Sequence, residues 1–298
     1  PAERTTTMQF RRIVATVAAV AVASTGLVAC NKDNGDNKKL VVGTTDGSKK
    51  AWGALEDVAK EKGIKVQIKN FSDYNTPNQA LSQKELDTNN FQHLKFLAQY
   101  NVGNNTHLVP IVSTEIVPLA LFWKDHKDLN GIDGKDIAVP NDPSNLGRAI
   151  NVLVQAKLVT LKQPDLITPT EADIDESKSK VKIKPVDAAQ TPSAYGEGTP
   201  AIINNSFLDR AGIDPKLAVF QDNPNSKQAE PYINAFVVRE EDKDNPKIKE
   251  LAELWHDPKV QAAVAEDSKG TSIEVKRSPE EMKQILDRLE ADQKNSKK

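Results

Sequence analysis

The chain of 298 residues has a single cysteine, Cys30, so it can form neither an internal disulfide nor a cysteine-based metal cluster. It carries no basic surplus. Beyond residue 29, 37 Lys and Arg stand against 41 Asp and Glu, a net charge of −4, and nothing points to nucleic acid. Its four histidines, at 93, 107, 126 and 256, show neither an i,i+4 pair nor an HExxH pattern, so no zinc site is read. No G-x-S-x-G occurs. "GTTDGSKK" at 43–50 resembles a phosphate loop but has three residues between its glycines where four are needed. "GEGTPA" at 196–201 precedes a strand, whereas a dinucleotide fingerprint must open a helix. The expectation is therefore a protein that is not an enzyme and holds no cofactor or metal. Long apolar runs are also missing. The one such run, from Ile13 to about Val22, is too short for a typical membrane-spanning helix.

That short run is informative in another way. Met8, Arg11 and Arg12 precede it, which is the pattern of a secretory signal. It ends in "LVAC", small residues before Cys30, and this resembles a bacterial lipobox whose cysteine receives lipid. Residues 1–29 are read as the signal, with 1–7 lying ahead of Met8 and set aside. "NKDNGDNKK" after Cys30 has no apolar residue and reads as a flexible tether over 30–38. The expected location is the extracytoplasmic face of a cell membrane, held by lipid.

The rest alternates strand and helix, the pattern of an α/β fold. "KKLVVGTT" reads as a buried strand and "AWGALEDVAKEKG" as a helix. "IKVQIKNF" alternates as a strand, and a helix starts at Thr76 with Pro77 in its first turn. Residues 89–100 read as a further helix and 107–123 as a β-rich segment. Strands follow at 180–186, 199–205 and 230–240, and helices at 246–256, 258–266 and 279–293. Two lobes are expected, with chain crossings near 118–123 and 231–237. Lobe I takes 39–120 plus 235–298, and lobe II takes 121–234.

Two segments stand out. Residues 71–100 hold Phe71, Tyr74, Phe91, Phe96 and Tyr100, five of the 15 aromatics in about a tenth of the chain. Tyr100 reads as core. Phe71, Tyr74 and His93, among polar neighbours, read as a half-exposed rim. In "PNDPSNLGRAI" Asp142 or Ser144 caps a helix and Arg148 follows within its first turns. A cation there opposes the helix dipole, which suggests a bound anion. The alternative is a surface arginine paired with an acid. Arg148 on a carboxylate, carbonyls of Asn145 and Asn204 on an ammonium, and an aromatic slot would together suit a free amino acid with a long apolar side chain.

"NFSDYNTPNQAL", "LDTNNFQHLKFL", "AVPNDPSNLGRAI", "AIINNSF" and "EPYINAFVVRE", in this order behind a lipobox, resemble the methionine-binding lipoproteins of methionine-uptake ABC transporters, the NlpA lipoprotein family. The resemblance runs from about residue 40 to 270. It implies a two-lobed periplasmic-binding-protein fold, type II-like, with ligand in the interlobe cleft. It places the family's methionine contacts on Phe71, Tyr74, Phe91, His93, Phe96, Asn145, Arg148 and Asn204, with Tyr232 and Asn234 as hinge or pocket candidates. The implied partners are methionine, a permease with its ATPase, and the membrane, for a monomeric protein. Three features depart from the family: Phe96 where a tyrosine is usual, Ser193 where an arginine is common, and "TTDGSKKAW" after the first strand. They leave open another amino acid or a short methionine peptide as ligand. A surface adhesin with a vestigial pocket is the alternative of a different class.

Overall fold

The structure, a computed structural model, describes residues 38–296. The signal segment, Cys30 and most of the tether lie outside the described residues. The strands are β1 (Leu40–Thr44), β2 (Val66–Asn70), β3 (Thr88–His93), β4 (Val109–Ser113), β5 (Glu115–Ile116), β6 (Ala120–Phe122), β7 (Asp136–Pro140), β8 (Lys182–Val186), β9 (Ala201–Ile203), β10 (Phe220–Gln221), β11 (Asn234–Val238) and β12 (Ile273–Glu274). The α-helices are α1 (Lys50–Glu61), α2 (Pro77–Ser82), α3 (Leu94–Asn104), α4 (Pro143–Gln155), α5 (Thr191–Gly196), α6 (Pro246–Glu253), α7 (Pro258–Ser268) and α8 (Pro279–Asn295).

Two five-stranded sheets organise these elements, in the orders β2-β1-β3-β11-β4 and β10-β6-β9-β7-β8. Each is parallel at its heart, with antiparallel strands added: β11 beside β3 and β4, and β6 beside β9. The chain changes sheet twice, between Ile116 and Ala120 and between Gln221 and Asn234. After the second change α7 packs on α1 and α8 on α3, both against the first sheet.

Both faces of each sheet are covered, as strands with near-continuous apolar runs require. On one face of the first sheet Trp52 and Leu55 of α1 meet Phe236 and Trp255. On its other face Leu81, Leu94 and Leu97 meet Ile285 and Leu286 of α8. In the second sheet Ile150 and Leu153 of α4 lie on Ile137, Val139 and Ile202. Phe122 and Phe207 fill the opposite side. Each such side chain contributes about 1.5–3 kcal/mol by leaving water. Gly43 in β1 has a packing reason. A Cβ there would come within 2.5 Å of Leu86 Cδ1 and 3.2 Å of the Phe71 ring.

Two sequence expectations need correction. Residues 88–93 are a strand, and the helix starts only at Leu94. Hydrogen bonding to β11 overrides the local pattern there. The β-rich stretch 107–123 breaks into three short strands in three different sheets. The buried face of α4 runs through Ala149, Ile150, Val152 and Leu153, while Leu146 and Val154 are half-buried.

The pairing of β3 is irregular where it matters. His93 pairs with Asn234 and Gln92 with Ala235, but the next pair is Asn89 with Val237. Asn90 and Phe91 thus stand opposite Phe236 alone, a bulge that breaks strict alternation. As a result Asn89 and Gln92, three residues apart, join one buried network. Gln92 Nε2 donates to Asn78 Oδ1 (2.7 Å) and Asn89 Oδ1 (3.0 Å), and Asn78 Nδ2 donates to Gln92 Oε1 (2.8 Å). That network fixes the strand from behind and leaves Phe91 and His93 for the cleft.

Candidate functional site

The cleft between the two sheets gathers aromatic rings. Tyr74, in the loop after β2, has its ring 6.0 Å from Phe91, 5.7 Å from Phe96 and 4.9 Å from Phe207 of the second sheet's side. Phe91 and Phe96 meet edge to face at 5.7 Å. Tyr74 Oη donates to Ser206 Oγ (2.9 Å), so the aromatic wall is tied across the cleft. Burial raises the Tyr74 hydroxyl well above its ordinary pKa, keeping it a donor.

His93 ends β3 and caps α3. Its Nδ1 accepts from the backbone N–H of Phe96 (3.0 Å), which leaves the proton on Nε2 to be donated to Asn145 Oδ1 (2.7 Å). Burial, then the Arg148 charge, lowers its pKa to about 3, so the ring is neutral. Both nitrogens are committed to protein. What His93 can offer a ligand is a ring face, between Tyr232 (5.0 Å) and Phe96 (6.3 Å). The residue is buried, where the sequence suggested a half-exposed rim.

The same bond revises Asn145. Its carbonyl oxygen is taken by His93 and its amide also reaches the Asp142 carboxyl, so what it has left for a ligand is an N–H donor, which suits a carboxylate and not an ammonium. Asn145 sits in the first turn of α4, where Asp142 is the cap and accepts from the Asn145 backbone N–H (3.1 Å). Burial raises Asp142 to a pKa of about 6.

Arg148 is buried, 4% exposed, and already paired. Its Nε donates to Asp222 Oδ2 (2.8 Å) and its Nη2 to the Val117 carbonyl (2.9 Å). Its guanidinium lies 4.1 Å from the Tyr232 ring centre. The carboxylate that the sequence offered to Arg148 is thus supplied by Asp222, an acid partner as in the alternative reading but with Arg148 buried and not at the surface, and Nη1 remains for a ligand. Lys95, which the sequence reading passed over, adds a second buried cation near the same ring, 5.7 Å from its centre. Burial, then Arg148, brings its pKa down to about 8. The two cations of this end, Arg148 and Lys95, stand against two acids, Asp222 and the Asp142 cap.

Asn204, at the end of β9, is buried, and its Oδ1 has no hydrogen-bond partner among the described residues. Phe71 stands apart from the ring cluster. It packs against the core beside Leu86, with Lys69 Nζ 5.4 Å from its ring centre. Asn234 lines the cleft and donates to the Glu115 carbonyl (3.2 Å). Ser193, in the short helix α5, is exposed and lines no cavity of the cleft. Nothing in the sequence marked Asp222, and Phe207, though it ends the motif "AIINNSF", was given no role. Asp222 lies in a polar loop, and its pairing with Arg148 spans 74 residues.

The profile of the NlpA lipoprotein family matches residues 40–276. The D-methionine-binding lipoprotein MetQ of Salmonella typhi is 33% identical over 258 residues, covering 85% of this chain and 94% of that protein. Among solved structures, protein PG110 from Staphylococcus aureus superposes with a TM-score of 0.79 at 37% identity, covering 84% of this chain and 99% of that one. The substrate binding protein of a methionine transporter from Streptococcus pneumoniae superposes with a TM-score of 0.73 at 30% identity, covering 80% and 95%.

Proposed function

The chain belongs to the NlpA lipoprotein family, and from that premise we propose that it captures methionine between its two sheets and hands it to an ABC importer. The observation that carries the reading is the pairing of an aromatic wall with N–H donors at the start of α4. Tyr74, Phe91 and Phe96 face an Asn145 N–H and Arg148 Nη1 at the start of α4, where the helix dipole also favours an anion. A carboxylate docks at that end, and a thioether lies among the rings, where sulfur–aromatic contacts add roughly 0.3–1.5 kcal/mol each. Asn204 Oδ1, buried and unpartnered, accepts from the ligand. The lobes are 39–120 with 235–298, and 121–234, which follows the two changes of sheet to within a few residues on the first and about a dozen on the second. The protein acts as a monomer, anchored by lipid on Cys30 at the extracytoplasmic face, and delivers methionine to a permease driven by a cytoplasmic ATPase.

Calorimetry on ligand-stripped protein tests the reading. One methionine binds per chain, and unfolding shifts upward by about 2.7 kcal/mol at a hundredfold excess of ligand over Kd. Arg148→Ala abolishes binding. The absence of any methionine response in the wild type overturns the ligand assignment.

A further inference from the structure

Where α3 of the first lobe meets α4 of the second, one charge is poorly compensated. Lys95, in the first turn of α3, is 6% exposed. Its Nζ donates one hydrogen bond, to the Ile167 carbonyl (3.3 Å), and lies 5.7 Å from the centre of the Tyr232 ring. Among the described residues no carboxylate pairs with it. The acid that favours its charge is Asp292, exposed on α8, whereas Arg148 of α4 opposes it. Asp222 is engaged by Arg148 and Asp142 by the start of α4, and the His93 ring is neutral.

The segment over Lys95 belongs to the other lobe. Residues 165–170 form a strap along α4. Asn151 Nδ2 donates to the Leu166 carbonyl (3.1 Å) and to the Ile167 carbonyl (3.2 Å). Gly147 gives the strap room, since a Cβ there would come within 3.2 Å of the Pro169 carbonyl. The Ile167 carbonyl is thus shared between Asn151 of its own lobe and Lys95 of the opposite one. A second bond crosses the same seam, from the Ser144 backbone N–H to Gln99 Oε1 (2.8 Å). One shared hydrogen bond offsets little of the cost of taking an ammonium out of water. Burial, then Arg148, holds the Lys95 pKa down at about 8, which is the mark of that uncompensated cost.

We propose that Lys95 opposes closure of the empty cleft, and so makes closure depend on an anion in the ligand. The inference rests on the reading of the cleft as a methionine site and deepens it. With the lobes apart the ammonium is in water, because the strap and Arg148 both belong to the second lobe. Closing brings it under the strap and sets two cations on one ring, Tyr232. A carboxylate at Arg148 Nη1 screens the two charges from each other, and a ligand without one leaves their repulsion in full. A ligand shifts closure only by its differential affinity for the two states, and here the anion supplies the difference. Lys95 is therefore a specificity-determining residue that acts through closure and not by touching the ligand.

The test is calorimetry of the full chain, stripped of co-purified ligand, with methionine and with methioninamide, whose carboxamide carries no charge. Lys95→Met binds methioninamide at least about tenfold more tightly than the wild type does, and its preference for methionine over methioninamide falls at least about fivefold. Lys95→Gln, which also removes the charge, acts in the same direction, and Lys95→Arg keeps the wild-type preference. Urea unfolding establishes that the variants fold. Small-angle scattering reads closure with no ligand present, and ligand-free Lys95→Met has a smaller radius of gyration than the ligand-free wild type. An unchanged affinity for methioninamide overturns the proposal. A preference that falls only because methionine binds more weakly also overturns it, since Lys95 would then be a direct ligand contact. If neither ligand binds the wild type, the methionine reading falls and scattering alone decides: a smaller radius in Lys95→Met upholds the role of Lys95, and equal radii overturn it.

Discussion

His93 shows how much a single residue's role depends on its neighbours. Flanked by two phenylalanines, it read as part of a ligand-pocket wall. In the fold it is a cap for α3, a brace to Asn145 and a neutral ring in the cleft. Its pKa is lowered from 6.5 to about 3, so the unfolded chain binds a proton that the folded one refuses. The stability this confers is full above about pH 6.5 and is lost as pH falls toward 3. His93→Gln cannot take up that proton. At pH 7 the variant is less stable by about 1–2 kcal/mol through the lost cap. The gap closes as pH drops from 6.5 to 4, measured by urea unfolding at each pH. A gap that stays constant would mean the ring is not held neutral. The sequence identified residue types well at this scale, but not what each polar atom is bonded to. Arg148 was legible as an anion-facing cation, but Asn145 was read through its carbonyl as facing an ammonium, and the acid that already holds Arg148 lies 74 residues away in a loop without pattern.

Among the elements, β3 was read as part of a helix. "NNFQHLKFLAQY" has enough apolar residues at helical spacing to pass as one helix, and the real boundary at Leu94 depends on pairing with β11. The bulge at Asn90 and Phe91 is invisible in sequence because it is a property of two strands, not one. It places Asn89 and Gln92 on the same buried network and so turns Phe91 and His93 to the cleft. Gln92→Leu strips donors and acceptor from Asn78 and Asn89, each left buried without full partners. The expected cost is about 2 kcal/mol or more, at roughly 1–3 kcal/mol per unsatisfied group, read from urea unfolding. Weaker methionine binding accompanies it, because the strand that carries the site loses its support. An unchanged midpoint would show that the network carries no stability.

For the molecule as a whole, the two sheets are joined by bonds across the cleft as well as by two chain crossings. Tyr74 to Ser206, His93 to Asn145, Ser48 to Asp209 and Arg210 to the Ser72 carbonyl all span it. Such bonds form only when the sheets close, so they act on ligand release more than on capture. Tyr74→Phe keeps the ring and removes one of them. Methionine dissociation in stopped flow accelerates about fivefold, for a bond worth roughly 0.5–1.5 kcal/mol, while association stays within about twofold. A change confined to association would contradict this closure role. The sequence by itself determined the α/β alternation, the helix start near Pro143 with its cap narrowed to Asp142 or Ser144, and the motifs that mark the family, because periodicity, capping and motif order are local along the chain. Only the tertiary structure decided which atoms of Asn145 and Arg148 remain for a ligand and that Asp46 and Glu115 share a chamber of the cleft. Those outcomes depend on hydrogen-bond partners and charges brought together from distant segments, and no local pattern records them.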